Sequence, residues 1–235
     1  MTRIRRPVAR AVPSAWGDSR RARIGILGGS FNPAHEGHLH ISQVAIERLN
    51  LDFVWWLVSP GNPLKSRAGM APQAVRYRAA CKVVRGCPQM VPLCLETDWG
   101  TVRTADTLKV LRTRFPNARF VWIMGADNLV QLPRWERWEQ IVGTMPIAVV
   151  DRSPYSHRAL SGRMAVRYRA ERVPMRKAGT LAGMAPPAWV FLSVRTHSAS
   201  ATALRATLGQ GWVQELGHDA QTSLPACAAD RMDAS

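Results

Sequence analysis

Blocks of uninterrupted apolar residues alternate with blocks of helical spacing along this chain. Phe53-Val54-Trp55-Trp56-Leu57-Val58 is apolar at every position, the pattern of a strand covered on both faces. Arg119-Phe120-Val121-Trp122-Ile123-Met124, Pro146-Ile147-Ala148-Val149-Val150 and Trp189-Val190-Phe191-Leu192 have the same character, and a shorter strand is expected near 90–93. Arg23-Ile24-Gly25-Ile26-Leu27 reads as the first strand and runs directly into Gly28-Gly29-Ser30. Over 37–49 the apolar positions Leu39, Ile41, Val44, Ala45 and Leu49 recur at helical spacing. Further helices are predicted over about 73–85, 104–114 and 200–208, helical stretches near 127–142, and the Pro/Gly-rich stretch from Ser59 to Pro72 as a long loop of the functional kind. Strands alternating with helices predict one α/β domain: a Rossmann-like, doubly wound parallel sheet with helices on both faces. Ligands of such sheets bind beyond the C-terminal strand ends. The domain is expected over 23–208. A disordered basic extension precedes it over 1–22, and a weakly patterned tail follows over 209–235.

Composition narrows the function classes. With 235 residues, 46% hydrophobic and 20% charged, the chain is neither collagen-like nor wholly disordered. Lys+Arg 32 against Asp+Glu 16 leaves +16, but 28 of the 32 are arginine. Residues 1–23 hold +6 of the excess and residues 152–177 hold +7. Charge concentrated in two weakly periodic segments reads as solubilising arginine rather than as a nucleic-acid surface, which would spread over the folded body. The four cysteines form no CxxC pair, and no apolar stretch is long enough for a membrane span. No apolar segment of the kind a secretory signal needs follows the arginines, so a cytoplasmic location is expected.

The chemistry concentrates in Gly28-Gly29-Ser30-Phe31-Asn32-Pro33-Ala34-His35-Glu36-Gly37-His38. Two glycines after a strand let backbone approach a ligand. The helix that opens near Gly37 turns its free N–H groups and positive dipole end toward the same place. His35 and His38, three apart on the first turn, share a face. Such a site stabilises charge on a phosphorus centre during in-line displacement, with no covalent intermediate on the protein. It lacks the GK[ST] of a P-loop and is not a GxGxxG fingerprint.

GSFNPxHxGH resembles the nucleotidylyltransferase superfamily and, within it, is similar to the bacterial nicotinate-mononucleotide adenylyltransferases, over roughly residues 24–208. VSPGNPLK at 58–65, RTADTL at 103–108, GADNL at 125–129, LPRW at 132–135, DRSP at 151–154 and SATALR at 200–205 follow in that family's order. The resemblance implies a transferase of NAD biosynthesis that joins ATP and nicotinate mononucleotide into nicotinate adenine dinucleotide and releases pyrophosphate. His35 and His38 then bind and orient the triphosphate beside Gly28, Gly29, Ser30 and Phe31, with His38 and Arg205 stabilising the transferred and leaving groups. Gly125 and Asp127 take nucleotide-binding roles, the Asp127 carboxylate accepting from ribose hydroxyls; Asp127 equally reads as the N-cap of the next helix.

Trp135, following Leu132-Pro133, presents an indole face on which an electron-poor pyridine ring stacks, whereas Trp138 reads as core. Thr104, at a helix start, stands where backbone N–H groups hold the nicotinate carboxylate. Arg103, where the family usually has an aromatic residue, reads as a solvated surface arginine or as a further contact to that carboxylate. Ser200, Thr202 and Arg205 form a second phosphate cradle, and Lys65 and Arg152 lie within reach of phosphates. No protein metal cage is legible, so Mg²⁺ is expected to be held mainly by the ATP phosphates. Two other readings stand beside this one: an enzyme like the phosphopantetheine adenylyltransferases, and a basic RNA-associated protein on the same fold.

Overall fold

The computed structural model describes residues 12–61, 69–151 and 156–193. Seven parallel strands form one sheet in the order β3-β2-β1-β4-β5-β7-β6: β1 (Arg23–Gly29), β2 (Phe53–Val58), β3 (Met90–Leu93), β4 (Arg119–Gly125), β5 (Ile147–Val150), β6 (Arg172–Val173) and β7 (Trp189–Leu192). The helices are α1 (Glu36–Leu49), α2 (Gln73–Val83), α3 (Leu95–Asp98), α4 (Thr104–Arg114), α5 (Ala126–Gln131), α6 (Trp138–Thr144), α7 (Ser156–Leu160) and α8 (Arg163–Arg167). Two 3₁₀ stretches complete the described elements, Leu132–Arg134 and Met175–Gly183.

Successive side chains of β2 enter different cores, which shows why the strand is apolar throughout. Phe53, Trp55 and Leu57 pack with Leu108 and Leu111 of α4, Ile141 and Val142 of α6, and Met164 of α8. Val54, Trp56 and Val58 pack with Ala45 and Leu49 of α1, Ala80 of α2, and Leu181 of the 3₁₀ stretch Met175–Gly183. Helices therefore cover both faces, as the alternation of elements predicts.

The chain order reverses between β1 and β4, and the crevice at such a reversal is where doubly wound sheets bind ligands. Gly29 ends β1 and Gly125 ends β4, so both glycine turns open at that crevice. Among the described residues no helix is long and apolar enough to cross a membrane.

The helical stretches expected near 127–142 are α5, the 3₁₀ stretch Leu132–Arg134 and α6, separated where Pro133 supplies no N–H for an α-helical ladder. The described arginines of the basic segment 152–177 are exposed, as solubilising residues are, and three of them also make contacts across the surface. Arg163 lies 5.7 Å over Trp138, Arg172 lies 5.3 Å over Trp189, and Arg167 pairs with Glu139 at 3.3 Å.

One expectation is corrected, that of a disordered extension over 1–22. From Val12 onward it lies against the body instead. Arg20 is buried, paired with Asp18, and its guanidinium carbon stands 5.3 Å from the Trp55 ring and 5.8 Å from that of Phe115. The Trp99 indole N–H donates to Ala15 O at 2.8 Å, and Asp18 N donates to Arg114 O at 3.2 Å.

Candidate active site

The turn from β1 to α1 is shaped by what surrounds it. A Cβ at Gly28 would stand 2.5 Å from the Trp122 ring, so this position is glycine because the neighbouring strand packs over it. Packing against Trp122 is thus a reason for glycine at Gly28 beside the expected approach of a ligand. At Gly29 the nearest atom would be Phe31 at 3.4 Å, an ordinary contact. Phe31 adopts φ 47°, a left-handed backbone that costs a non-glycine residue about 1–2 kcal/mol. That conformation delivers its buried ring to two neighbours: it stacks on Trp56 at 5.1 Å and meets His38 at 4.8 Å.

His35 and His38 close the helix end reciprocally. Gly37 N–H donates to His35 Nδ1 at 3.0 Å, and His35 N–H donates to His38 Nδ1 at 3.2 Å. His38 N–H donates to His35 O at 2.9 Å. The amides expected to face a phosphate as free donors are therefore engaged inside the cap, and this too is a correction. The consequence lies in the rings. An Nδ1 that accepts carries no proton, so each neutral imidazole holds its proton on Nε2 and is a donor there. The two rings lie 3.9 Å apart, His35 buried and His38 half-exposed. What the helix end presents is thus a pair of imidazole donors on a shared face, backed by the helix dipole.

Behind the pair, the Trp56 indole N–H donates to Ser42 Oγ at 2.8 Å, and Ser42 Oγ donates to His38 O at 2.9 Å. Beside it, Asn32 Oδ1 accepts from Ala71 N at 3.1 Å and Asn32 Nδ2 donates to Gly69 O at 3.0 Å. Arg76, 1% exposed, donates to Ser30 O at 2.5 Å, Ser59 O at 2.8 Å and Ala71 O at 2.8 Å. Burial lowers its guanidinium pKa below the usual arginine value, and Cys94 nearby opposes this. Arg76, Ser42 and Trp56 were not legible as site residues, and Asn32 was legible only as a member of the motif. A buried arginine reads in sequence as one more of 28.

On the other side of the crevice, Gly125 is the N-cap of α5 and Asp127 stands within its first turn, so the N-cap reading of Asp127 is corrected. Thr104 is the first residue of α4, and Trp135 is half-buried against the core, just past the Leu132–Arg134 turn. Ion pairs brace these two elements. Arg103 Nε reaches Glu136 Oε2 at 2.5 Å, and Arg137 Nη2 reaches Asp106 Oδ2 at 2.5 Å. The Arg137 contact holds the Asp106 carboxyl below its usual range. Arg103 is thus an exposed surface arginine, as expected, that also pairs with Glu136. Trp138 is core, as expected.

Glu96 lies under this wall with the Thr107 hydroxyl 3.1 Å from Oε1, and burial pushes its carboxyl up to about 7 from 4.5. The folded state therefore favours the protonated acid. Wild-type stability should rise as pH falls from about 7 toward 4.5, and Glu96→Gln should lack that slope. The variant is expected to be more stable at pH 8, by no more than about 3 kcal/mol, with the advantage fading by pH 5. Thermal melts at the two pH values check this; a pH-independent difference contradicts it.

Lys65, Arg152, Ser200, Thr202 and Arg205 lie outside the described residues. The structure thus brings together Gly28–Phe31, His35, His38, Gly125 and Asp127 at the sheet's reversal point, and places Thr104 and Trp135 on one braced wall.

Residues 26–207 match the family described as cytidylyltransferase-like. The chain belongs to that family. Within it, the "probable nicotinate-nucleotide adenylyltransferase" of Bradyrhizobium sp. (strain BTAi1) is 52% identical over 183 residues, 78% of this chain and 95% of its own. The protein of the same name from Gluconacetobacter diazotrophicus is 49% identical over 194 residues, 83% of this chain and 90% of its own. The fold matches that of Plasmodium falciparum nicotinic acid mononucleotide adenylyltransferase complexed with NaAD, with TM-score 0.61 and 18% identity over 80% of this chain and 84% of that one. Its complex with APC gives TM-score 0.57 with the same coverage. In this family member GSFNPxHxGH lies within the matched residues and is the turn whose imidazoles cap α1.

Proposed function

We infer that this chain is a nicotinate-nucleotide adenylyltransferase of NAD biosynthesis, joining ATP and nicotinate mononucleotide and releasing pyrophosphate. The observation that carries the chemistry is the reciprocal histidine cap, which puts the proton of each neutral imidazole on Nε2 at the reversal point of the sheet. A 5′-phosphate oxygen of the mononucleotide attacks the α-phosphorus of ATP. The bond from that phosphorus to the β-bridging oxygen breaks, and pyrophosphate leaves with the electron pair. The attacking phosphate is ionised at neutral pH, so no general base is required. His38 donates to the α-phosphoryl oxygens as charge builds on them, and His35 orients the triphosphate.

Gly28, Gly29, Ser30 and Phe31 form the floor beneath the triphosphate, and Gly125 and Asp127 hold the adenosine side. Ser200, Thr202 and Arg205 neutralise the leaving pyrophosphate, and Lys65 and Arg152 contact phosphates. Among the described residues no group of three or more His, Cys, Asp or Glu side chains is placed to hold a metal ion. The donor set at the turn suits anionic oxygen. Mg²⁺ held on the ATP phosphate oxygens would supply charge neutralisation there.

The acceptor is read from the braced wall. Trp135 offers its indole to the pyridine ring, and the first turn of α4 at Thr104 receives the nicotinate carboxylate. Trp135→Ala should raise the KM for nicotinate mononucleotide roughly ten-fold, the equivalent of about 1–2 kcal/mol of stacking, and leave the KM for ATP unchanged. Thermal melts accompany the kinetics, because Trp135 also packs against the core. A folded variant with an unaltered mononucleotide KM contradicts the assignment and reopens the choice of acceptor.

A further inference from the structure

Arg76 and Asn32 together close a ring of hydrogen bonds around the turn that carries Phe31. Arg76 Nη1 holds Ser30 O, on one side of Phe31, and Arg76 Nε holds Ala71 O. Ala71 N in turn holds the side chain of Asn32, on the other side of Phe31. The same guanidinium reaches Ser59 O at the end of β2. Arg76 is 1% exposed, and among the described residues no carboxylate pairs with it. An arginine kept in the interior on backbone carbonyls alone carries a large desolvation cost, and structural economy does not account for it.

What the ring encloses does account for it. Phe31 sits at φ 47°, a conformation that persists in a non-glycine residue only where its surroundings over-determine it. Both of its chain neighbours are clamped, and the enclosed ring is the one that rests on His38. We propose that Arg76 is a positioning residue for adenylyl transfer: it holds Phe31 in the left-handed conformation that seats its ring against His38, and so fixes the direction of His38 Nε2–H. The assignment rests on the reading of His38 as the charge-stabilising donor. It goes beyond that reading by giving a residue about 40 positions away, on another element, control of the donor's aim.

The test uses the full chain with Arg76→Lys, which keeps the charge but cannot span three carbonyls. Asn32→Ala, the second variant, opens the other arm without touching a buried charge. Each is assayed for kcat and for both KM values, and ¹⁵N-histidine spectra are recorded without substrates. Misaiming by a fraction of an ångström to 1 Å should lower kcat by about ten- to a hundred-fold in both variants while the KM for ATP stays within about threefold. The spectra should show His38 held as one Nε2–H tautomer in the wild type and averaged between tautomers in the variants. A folded variant with wild-type kcat and an unchanged His38 signal overturns the proposal, and if Arg76→Lys does not fold, Asn32→Ala alone decides it. Loss of the wild-type activity itself would fall on the functional reading, whereas wild-type activity with indifferent variants falls on Arg76 alone.

Discussion

His38→Ala is expected to lower kcat by about two to three powers of ten, the loss typical of removing one charge-stabilising donor from a transition state. The KM for ATP should change much less, because His35 and the glycine turn still receive the triphosphate. The substitution also removes the acceptor for His35 N–H, which is a capping contact worth about 1 kcal/mol. His38→Asn separates the two effects. Its side-chain oxygen can take over the cap, so stability should recover toward wild type while turnover stays low. Full turnover in a folded His38→Ala protein would refute the role assigned to His38.

Removing residues 1–22 is the second large effect, and it falls on stability. Arg20 stacks its guanidinium against Trp55 and Phe115, both fully buried, and Ala22 belongs to the same core. Gly17 adopts φ +99° where a Cβ would stand 2.1 Å from Arg114 O, so the segment is fitted closely to the body. Truncation bares two large aromatic rings and removes the buried Arg20 with its half-buried partner Asp18; together these losses amount to about 3–5 kcal/mol. In a domain of this size that lowers Tm by roughly 10 °C. The turnover of the molecules that remain folded should be near wild type, since Arg20 and Ala22 pack in the core on the other face of the sheet from Phe31 and Trp56. A melting temperature within a degree or two of wild type contradicts the packing described; a large rise in the KM for ATP instead would attach the arm to the active site.

Which parts of this molecule were legible follows from where their determinants lie. The parallel sheet could be read because β2, β4, β5 and β7 are buried on both faces, and double burial writes a continuous apolar run into the sequence itself. The histidine pair could be read because its partners lie within four residues along the chain. The use made of α1's amides could not be. Spacing places His35 and His38 on one face, but only side-chain orientation shows their Nδ1 atoms capping the helix.

Arg76 and Arg20 were illegible for a related reason. Their partners lie 46 residues away at Ser30 and 35 residues away at Trp55, and arginine carries no local mark of burial. The braced wall falls between these cases. Thr104 and Trp135 stand in recognisable motifs, yet the pairs Arg103–Glu136 and Arg137–Asp106 that join them appear only once the chain has folded.

The most direct measurement of the central claim is product identity. The full-length protein is incubated with ATP, Mg²⁺ and one acceptor at a time: nicotinate mononucleotide, nicotinamide mononucleotide or phosphopantetheine. Pyrophosphate and the adenylylated product are quantified together, the latter by mass. The account predicts nicotinate adenine dinucleotide and pyrophosphate in equal amounts from nicotinate mononucleotide, and no adenylylated phosphopantetheine. Faster turnover of phosphopantetheine, or ATP consumed with no dinucleotide formed, would contradict it.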